Sequence, residues 1–185
     1  MQVETYPLQG LLKLTPRKFG DVRGFFSETY NAETFSAAGL SDVFVQDNQS
    51  FSRQRGVVRG LHCQIAPYDQ GKLVRVLKGA IWDVAVDIRT GSPTYGQHVA
   101  VELSADNWNQ FYIPPGFLHG FCTLTEDTEV FYKCTRLYHP ASERGVIWND
   151  PALAIPWPVS PAEAVLSDKD RKLPALDAAK GWFTS

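Results

Sequence analysis

The chain has 185 residues, 44% hydrophobic and 21% charged, the balance of one folded globular domain rather than a disordered segment. A formal net charge of −2 excludes a basic surface built to wrap nucleic acid, so any phosphate-bearing ligand is a small molecule held by a few local cations. The opening MQVETYPLQG lacks a signal-peptide core, no apolar run approaches the ~20 residues that cross a bilayer, and Cys63, Cys122 and Cys134 show no CxxC spacing. The expectation is a cytoplasmic protein with free thiols and no membrane segment.

Taken in chain order, the first polar cluster is FGDVRGFFSE, which sets Arg23 and Glu28 among Phe19, Phe25 and Phe26. Its Gly20–Gly24 stretch reads first as a turn; otherwise the planar fork of Arg23 suits a diphosphate. Asn31 caps a short helix through AETFSAA that Gly39 ends. VQDNQS then brings Gln46, Asp47 and Asn48, and RGLHCQ brings Arg59 and His62.

Residues 72–77, KLVRVL, alternate with period two and predict a half-buried strand. Gly79-Ala80 turns into IWDVAVDI and TGSP turns into GQHVAVELS, a run of antiparallel strands at hairpin spacing. NQFYIPP and FCTLTEDTEVFYKCTRLY supply more strands around the Pro114-Pro115-Gly116 turn. The tract from Pro151 to Pro161 reads as a packed connector carrying Ile155 and Trp157, and Ser167 caps a short helix through DKDRK before Pro174. No repeat or internal boundary divides residues 1–185, and the fold class is mainly β, a jelly-roll sandwich or barrel with a few short helices.

Two histidines have distinctive settings. His62 sits in RGLHCQ, and His119 follows a tight turn in PPGFLHGF. Two imidazoles beside Gln64, with no Glu nearby, are a poor transition-metal set, so no metal is expected. His62 remains as a free imidazole, the side-chain type most often used for proton transfer near neutrality. A lone histidine is more often a core residue satisfied by backbone. Arg59 three residues before it and Lys72 ten after it concentrate cations on this stretch and shift the balance. A carboxylate must hold the imidazole in one tautomer, and Asp170 and Asp83 both qualify. Spacing leaves that choice open, because Ser167-x-x-Asp170 also matches a helix cap. Alternation in EVFYKCTRLY places Tyr132, Cys134 and Arg136 on one face, with Tyr138 continuing it in a regular strand. Tyrosines in strands are mostly core residues; in a polar pocket the same hydroxyl donates a proton.

The segments FGDVRGFFSE, FVQDNQS, VVRGLHCQ, QGKLVRVLKGAIWDVAVDIR, GSPTYG, IPPGFLHGF, YKCTRLYHPASERGVIWNDP, IPWP and LSDKD fall in order along nearly the whole chain. Together they resemble the dTDP-4-dehydrorhamnose 3,5-epimerase family. The resemblance implies a cupin-type jelly-roll barrel, a homodimer, a dTDP-linked keto-sugar substrate, and neither metal nor other cofactor. It implies His62 as general base, Tyr132 as general acid, Lys72 beside the enolate oxygen and Asp170 orienting His62. It gives substrate binding to Arg23, Glu28, Gln46, Asp47, Asn48, Arg59, His119, Glu143 and Lys169, with Tyr138 stacked on the thymine. Cys63 departs from the family pattern, standing where an aromatic is common. A mono-epimerase of another dTDP-4-keto-deoxysugar, a metal-dependent cupin and a non-catalytic sugar-nucleotide binder are the competing readings.

Overall fold

The computed structural model describes residues 1–184. Its strands are β1 Gln2–Thr5, β2 Leu12–Thr15, β3 Phe19–Asp21, β4 Gly24–Phe26, β5 Gln46–Ser52, β6 Val58–Gln64, β7 Lys72–Lys78, β8 Ala80–Asp87, β9 Arg89–Thr90, β10 His98–Ser104, β11 Gln110–Ile113, β12 Phe117–Thr123, β13 Thr128–Cys134, β14 Glu143–Gly145 and β15 Phe183–Thr184. One sheet runs β1-β2-β11-β7-β13-β5 and the other β10-β8-β12-β6-β14, with antiparallel neighbours throughout. The two sheets close over one apolar core as a cupin-type jelly roll, with Val74, Val76 and Val130 on one side and Ile81, Ala85, Phe117 and Phe121 on the other.

The helix α1, Ala32–Ala37, starts where Asn31 accepts hydrogen bonds from the amides of Glu33 and Thr34. Beyond Ser167 the chain forms a 3₁₀ turn, Asp170–Lys172, rather than the expected helix, with the Asp170 amide donating to Ser167 Oγ. Leu173 is already extended before Pro174, which leaves room for a single turn. Among the described residues no helix is long and apolar enough to cross a membrane.

The hairpin expected at Gly79-Ala80 is absent. Strand β7 pairs with β11 and β13, whereas β8 pairs with β10 and β12, so this turn carries the chain from one sheet to the other. Gly79 makes the corner at φ +78°, where a Cβ would meet Thr125 Oγ1. Local period-two patterning fixes which face of a strand is apolar and says nothing about which strand lies beside it. Strand β8 is buried on both faces: Ile81 and Ala85 point between the sheets, while Val84 and Val86 meet a cover built from Leu153, Ile155, Trp157 and Ala179. The proline-rich connector belongs to that cover.

Asp87 ends β8 in full burial and anchors the loop beyond it. Its carboxylate accepts from the amide and guanidinium of Arg89 and from the hydroxyls of Ser92 and Thr94 at 2.6–2.9 Å. Burial alone would raise the carboxyl, but these donors hold its pKa down to about 2. A folded pKa below the unfolded value gives stability that is complete above about pH 4 and is lost as pH falls through 2. Asp87→Asn is therefore expected to cost about 2 kcal/mol near neutrality, or about 4–8 °C in melting temperature, and the gap to the parent should close in scans toward pH 2.

Candidate active site

Strand β6 carries the first functional side chains, and its register explains their placement. His62 lies opposite His119 of β12, but Phe121 lies opposite Arg59, so three steps along β6 match two along β12. This extra residue is a bulge. In a regular strand Arg59 and His62 would face opposite sides of the sheet; the bulge lets both line one cavity. Gly60 occupies the slip at φ +122°, and a Cβ there would lie 2.6 Å from Gly120 Cα and 2.8 Å from His119 O. Gly120 is equally confined, 2.8 Å from the Arg59 carbonyl.

The choice between Asp170 and Asp83 is settled by geometry. His62 Nε2 lies 2.7 Å from Asp170 Oδ1, and the Gly60 amide donates to Asp170 Oδ2 at 3.4 Å. Asp83 instead meets His119, with Nε2 at 2.8 Å from Oδ1. Burial would raise the Asp170 carboxyl, but the His62 bond and the facing imidazole hold it below the usual carboxylate range. Asp170 is thus ionised at neutral pH and only accepts, so Nε2 of His62 carries a hydrogen, and in the neutral imidazole the free lone pair is on Nδ1. Burial keeps the His119 imidazole below its ordinary range despite Asp83, which leaves it neutral.

The opposite wall comes from the other sheet. Lys72 opens β7 beside Cys134, and Tyr132 of β13 lies beside Val74 and Asn48. Burial and the neighbouring Cys134 push the Tyr132 hydroxyl upward, against the pull of Arg59 and of an Asn48 hydrogen bond, so it stays protonated at neutral pH. Two lobes share His62, Lys72 and Tyr132. The larger, about 480 Å³, adds Arg59, His119, Lys169 and Asp170, together with Val57, Phe121, Val165 and Leu166. The smaller, about 360 Å³, is lined by Gln46, Asn48, Gln64, Gln70, Tyr138 and Glu143.

The rim is an ordered polar network. Gln46 Oε1 accepts from the Tyr138 amide, and Glu143 Oε2 takes both the Tyr138 hydroxyl at 2.9 Å and the Lys169 ammonium at 2.6 Å. Burial opposes the shift, yet these two partners hold the Glu143 carboxyl below its ordinary range. Among the described residues no group of three or more His, Cys, Asp or Glu converges as a metal site would.

The model of the dTDP-4-dehydrorhamnose 3,5-epimerase family matches residues 5–178. The chain belongs to that family. A dTDP-4-dehydrorhamnose 3,5-epimerase of Sinorhizobium fredii is 52% identical over 164 residues, covering 88% of this chain and 83% of that protein. The Bacillus anthracis dTDP-4-dehydrorhamnose 3,5-epimerase, solved with TDP and PPi bound, superposes with a TM-score of 0.91 at 49% identity over 94% of this chain and 98% of its own. The Legionella pneumophila dTDP-6-deoxy-D-glucose-3,5-epimerase, solved in complex with dTDP-4-keto-L-rhamnose, gives 0.90 at 47% identity over 95% and 93%.

Within this epimerase-family chain, eleven of the site positions read from sequence gather around the two lobes: His62, Lys72, Tyr132, Asp170, Gln46, Asn48, Arg59, His119, Tyr138, Glu143 and Lys169. Three do not. Arg23 stands on the exposed β3–β4 hairpin and pairs with Asp21. Glu28 is exposed and accepts from Asn31. Asp47 alternates with Gln46 and Asn48, so it leaves the cleft and pairs with Lys133 at 2.9 Å. The face carrying Tyr132 and Cys134 also ends at Cys134: Arg136 and Tyr138 lie beyond the strand and are exposed. Tyr138 reaches the rim through its hydrogen bonds instead. Sequence reading missed Phe121, although its spacing of two from His119 was a usable signal for the same face. Cys63 packs with Leu61 and Val146, and burial pushes its thiol up to about 12, which leaves it protonated and unreactive.

Gly60→Ala is expected to cost roughly 3 kcal/mol from the backbone clash and positive φ together, or about 6–12 °C in melting temperature. Turnover measured well below that transition should fall as well, because Arg59 and His62 would move together.

Proposed function

We propose that the protein inverts C3 and C5 of dTDP-4-dehydro-6-deoxy-D-glucose to give dTDP-4-dehydro-L-rhamnose, through an enolate and without a metal. The observation that carries this reading is the meeting of a carboxylate-held imidazole, an ammonium and a protonated phenol where the two lobes join.

The C4 ketone acidifies the C–H bonds at C3 and C5, and the chemistry needs three things from the protein. A base takes the proton: Nδ1 of His62 has the lone pair, and Asp170 stabilises the imidazolium that forms. A cation meets the developing enolate oxygen: Lys72 supplies it in a part-buried setting where charge is poorly screened. An acid returns a proton from the other side: Tyr132, on the opposite sheet, holds one at neutral pH. Treating C3 and C5 in turn with the same pair asks only for a small shift of the sugar between steps. Tyr138, Gln46, Glu143 and Lys169 at the rim suit the nucleoside and its diphosphate.

The homodimer fits two of the three site positions left outside, Arg23 and Glu28. Phe19, Phe25 and Phe26 are 51%, 55% and 70% exposed around Arg23, an apolar patch that a second copy would cover. Pairing through this hairpin would carry Arg23 and Glu28 to the neighbour's cleft. Mixing Arg23→Ala with His62→Ala protein should then restore activity, since the hybrid holds one site with both residues intact. Hybrids as inactive as either parent would place Arg23 outside any shared site.

Proton NMR in deuterium oxide with the keto-sugar nucleotide tests the reaction itself. Deuterium should enter both C3 and C5 with the parent protein, and His62→Ala should slow both by about 10²–10⁴-fold. Tyr132→Phe should keep wash-in while losing inversion. Exchange at one carbon would mean a mono-epimerase, and none at all would sink the assignment.

A further inference from the structure

Resting on the epimerase reading, we infer that Phe121 is the residue that selects a 6-deoxy sugar, by meeting the methyl carbon attached to C5. The argument starts from what lines the larger lobe. Beside its polar groups it is lined by Val57, Val58, Val165 and Leu166, and its single phenylalanine among the described residues is Phe121. That ring is 4% exposed, belongs to the apolar core between the sheets, and lies 6.4 Å from the His119 ring, centroid to centroid. Strand register sets it opposite Arg59, one inward position from the facing His62–His119 pair. Phe121 therefore gives the chamber an apolar wall near the base, set between Arg59 of β6 and Asp83 of β8. Val57 and Val165 extend the apolar surface toward solvent through their bridge.

A 4-keto-6-deoxyhexose on a nucleoside diphosphate offers one apolar substituent to match. Its C2 and C3 carry hydroxyls, C4 the ketone and C1 the diphosphate, while C5 carries the methyl group. C5 is also a carbon from which His62 takes a proton, so the methyl travels with the reacting centre and must lie near the base. The smaller lobe, lined mainly by Gln46, Asn48, Gln64, Gln70, Tyr138 and Glu143, has no phenylalanine, valine, leucine or isoleucine among the described residues. A 6-hydroxyl set against Phe121 would lose its water and find no partner on that ring. An apolar pocket rejects such an added hydroxyl only modestly, by roughly 10–100-fold, which sets the size of the expected effect.

Competing deuterium wash-in at C3 and C5, measured for dTDP-4-keto-6-deoxyglucose and for its 6-hydroxy counterpart dTDP-4-keto-glucose, tests this. The parent protein should favour the 6-deoxy sugar by roughly 10–100-fold in kcat/KM. Phe121→Leu, which stays apolar, should keep most of that preference. Phe121→Tyr, which brings a hydroxyl to the same ring position, should reduce it by up to about tenfold, the worth of one added hydrogen bond. Equal rates for the two sugars with the parent protein would overturn the inference and leave the epimerase reading standing. A folded Tyr variant with an unchanged preference would do the same. Absence of exchange with the 6-deoxy sugar would overturn both.

Discussion

The backbones of β6 and β12 touch at Gly60 and Gly120, and the placement of the ionisable groups in the cleft follows from that contact. Neither position has room for a Cβ, so the strands approach more closely than side chains allow, and β6 takes up its extra residue there. The slip turns Arg59 and His62 to the same side while Val58 and Leu61 pack outward. It also leaves the Gly60 amide free to meet Asp170 rather than a strand partner. One local irregularity thus aims the cation, aims the imidazole and supplies a donor to the carboxylate that holds the imidazole.

The cleft contains two histidine–aspartate pairs with unequal prospects. His62 keeps 25% of its side chain exposed, whereas His119 keeps 7% and Asp83 none. The first imidazole can exchange a proton with a bound molecule and be stabilised when it does. The second is held neutral by its burial and presents a fixed polar edge. Asp83 Oδ2 has no hydrogen-bond partner among the described residues, so within them that pair leaves a buried oxygen uncompensated. A difference in solvent access, more than in residue type, separates a group suited to chemistry from one suited to binding.

Much of this was legible along the chain because it is encoded locally. The Asn31 cap, the alternation of β7 and the start of that strand at Lys72 depend on neighbours within a few residues. The pairing of strands does not, and so Gly79 read as a hairpin where it turns between sheets. Spacing could not choose Asp170 over Asp83, since the two partners of His62 and His119 come from 108 and 36 residues away, and only the family resemblance pointed to Asp170. Motif order along nearly the whole chain located the site as a set of residues. It could not say that Arg23, Glu28 and Asp47 lie outside this chain's own cleft, because a motif records position in sequence and not the direction a side chain takes. Phe121 was overlooked for the opposite reason: an apolar residue in a strand reads as core, and here it is core and cavity wall together.

The 108-residue span between His62 and Asp170 has a consequence for how activity is gained and lost. The barrel's own strands are complete by β14, yet the carboxylate that orients the base arrives on the segment after it. Closing so long a loop is entropically costly and comes after the local pairings have formed. Release of the carboxylate needs only the 3₁₀ turn at Asp170–Lys172 to open, while the two sheets and the cover on β8 stay folded. Opening of that turn would take the carboxylate from His62, so turnover is a more sensitive gauge of the site's integrity than the spectrum of the β-sheets.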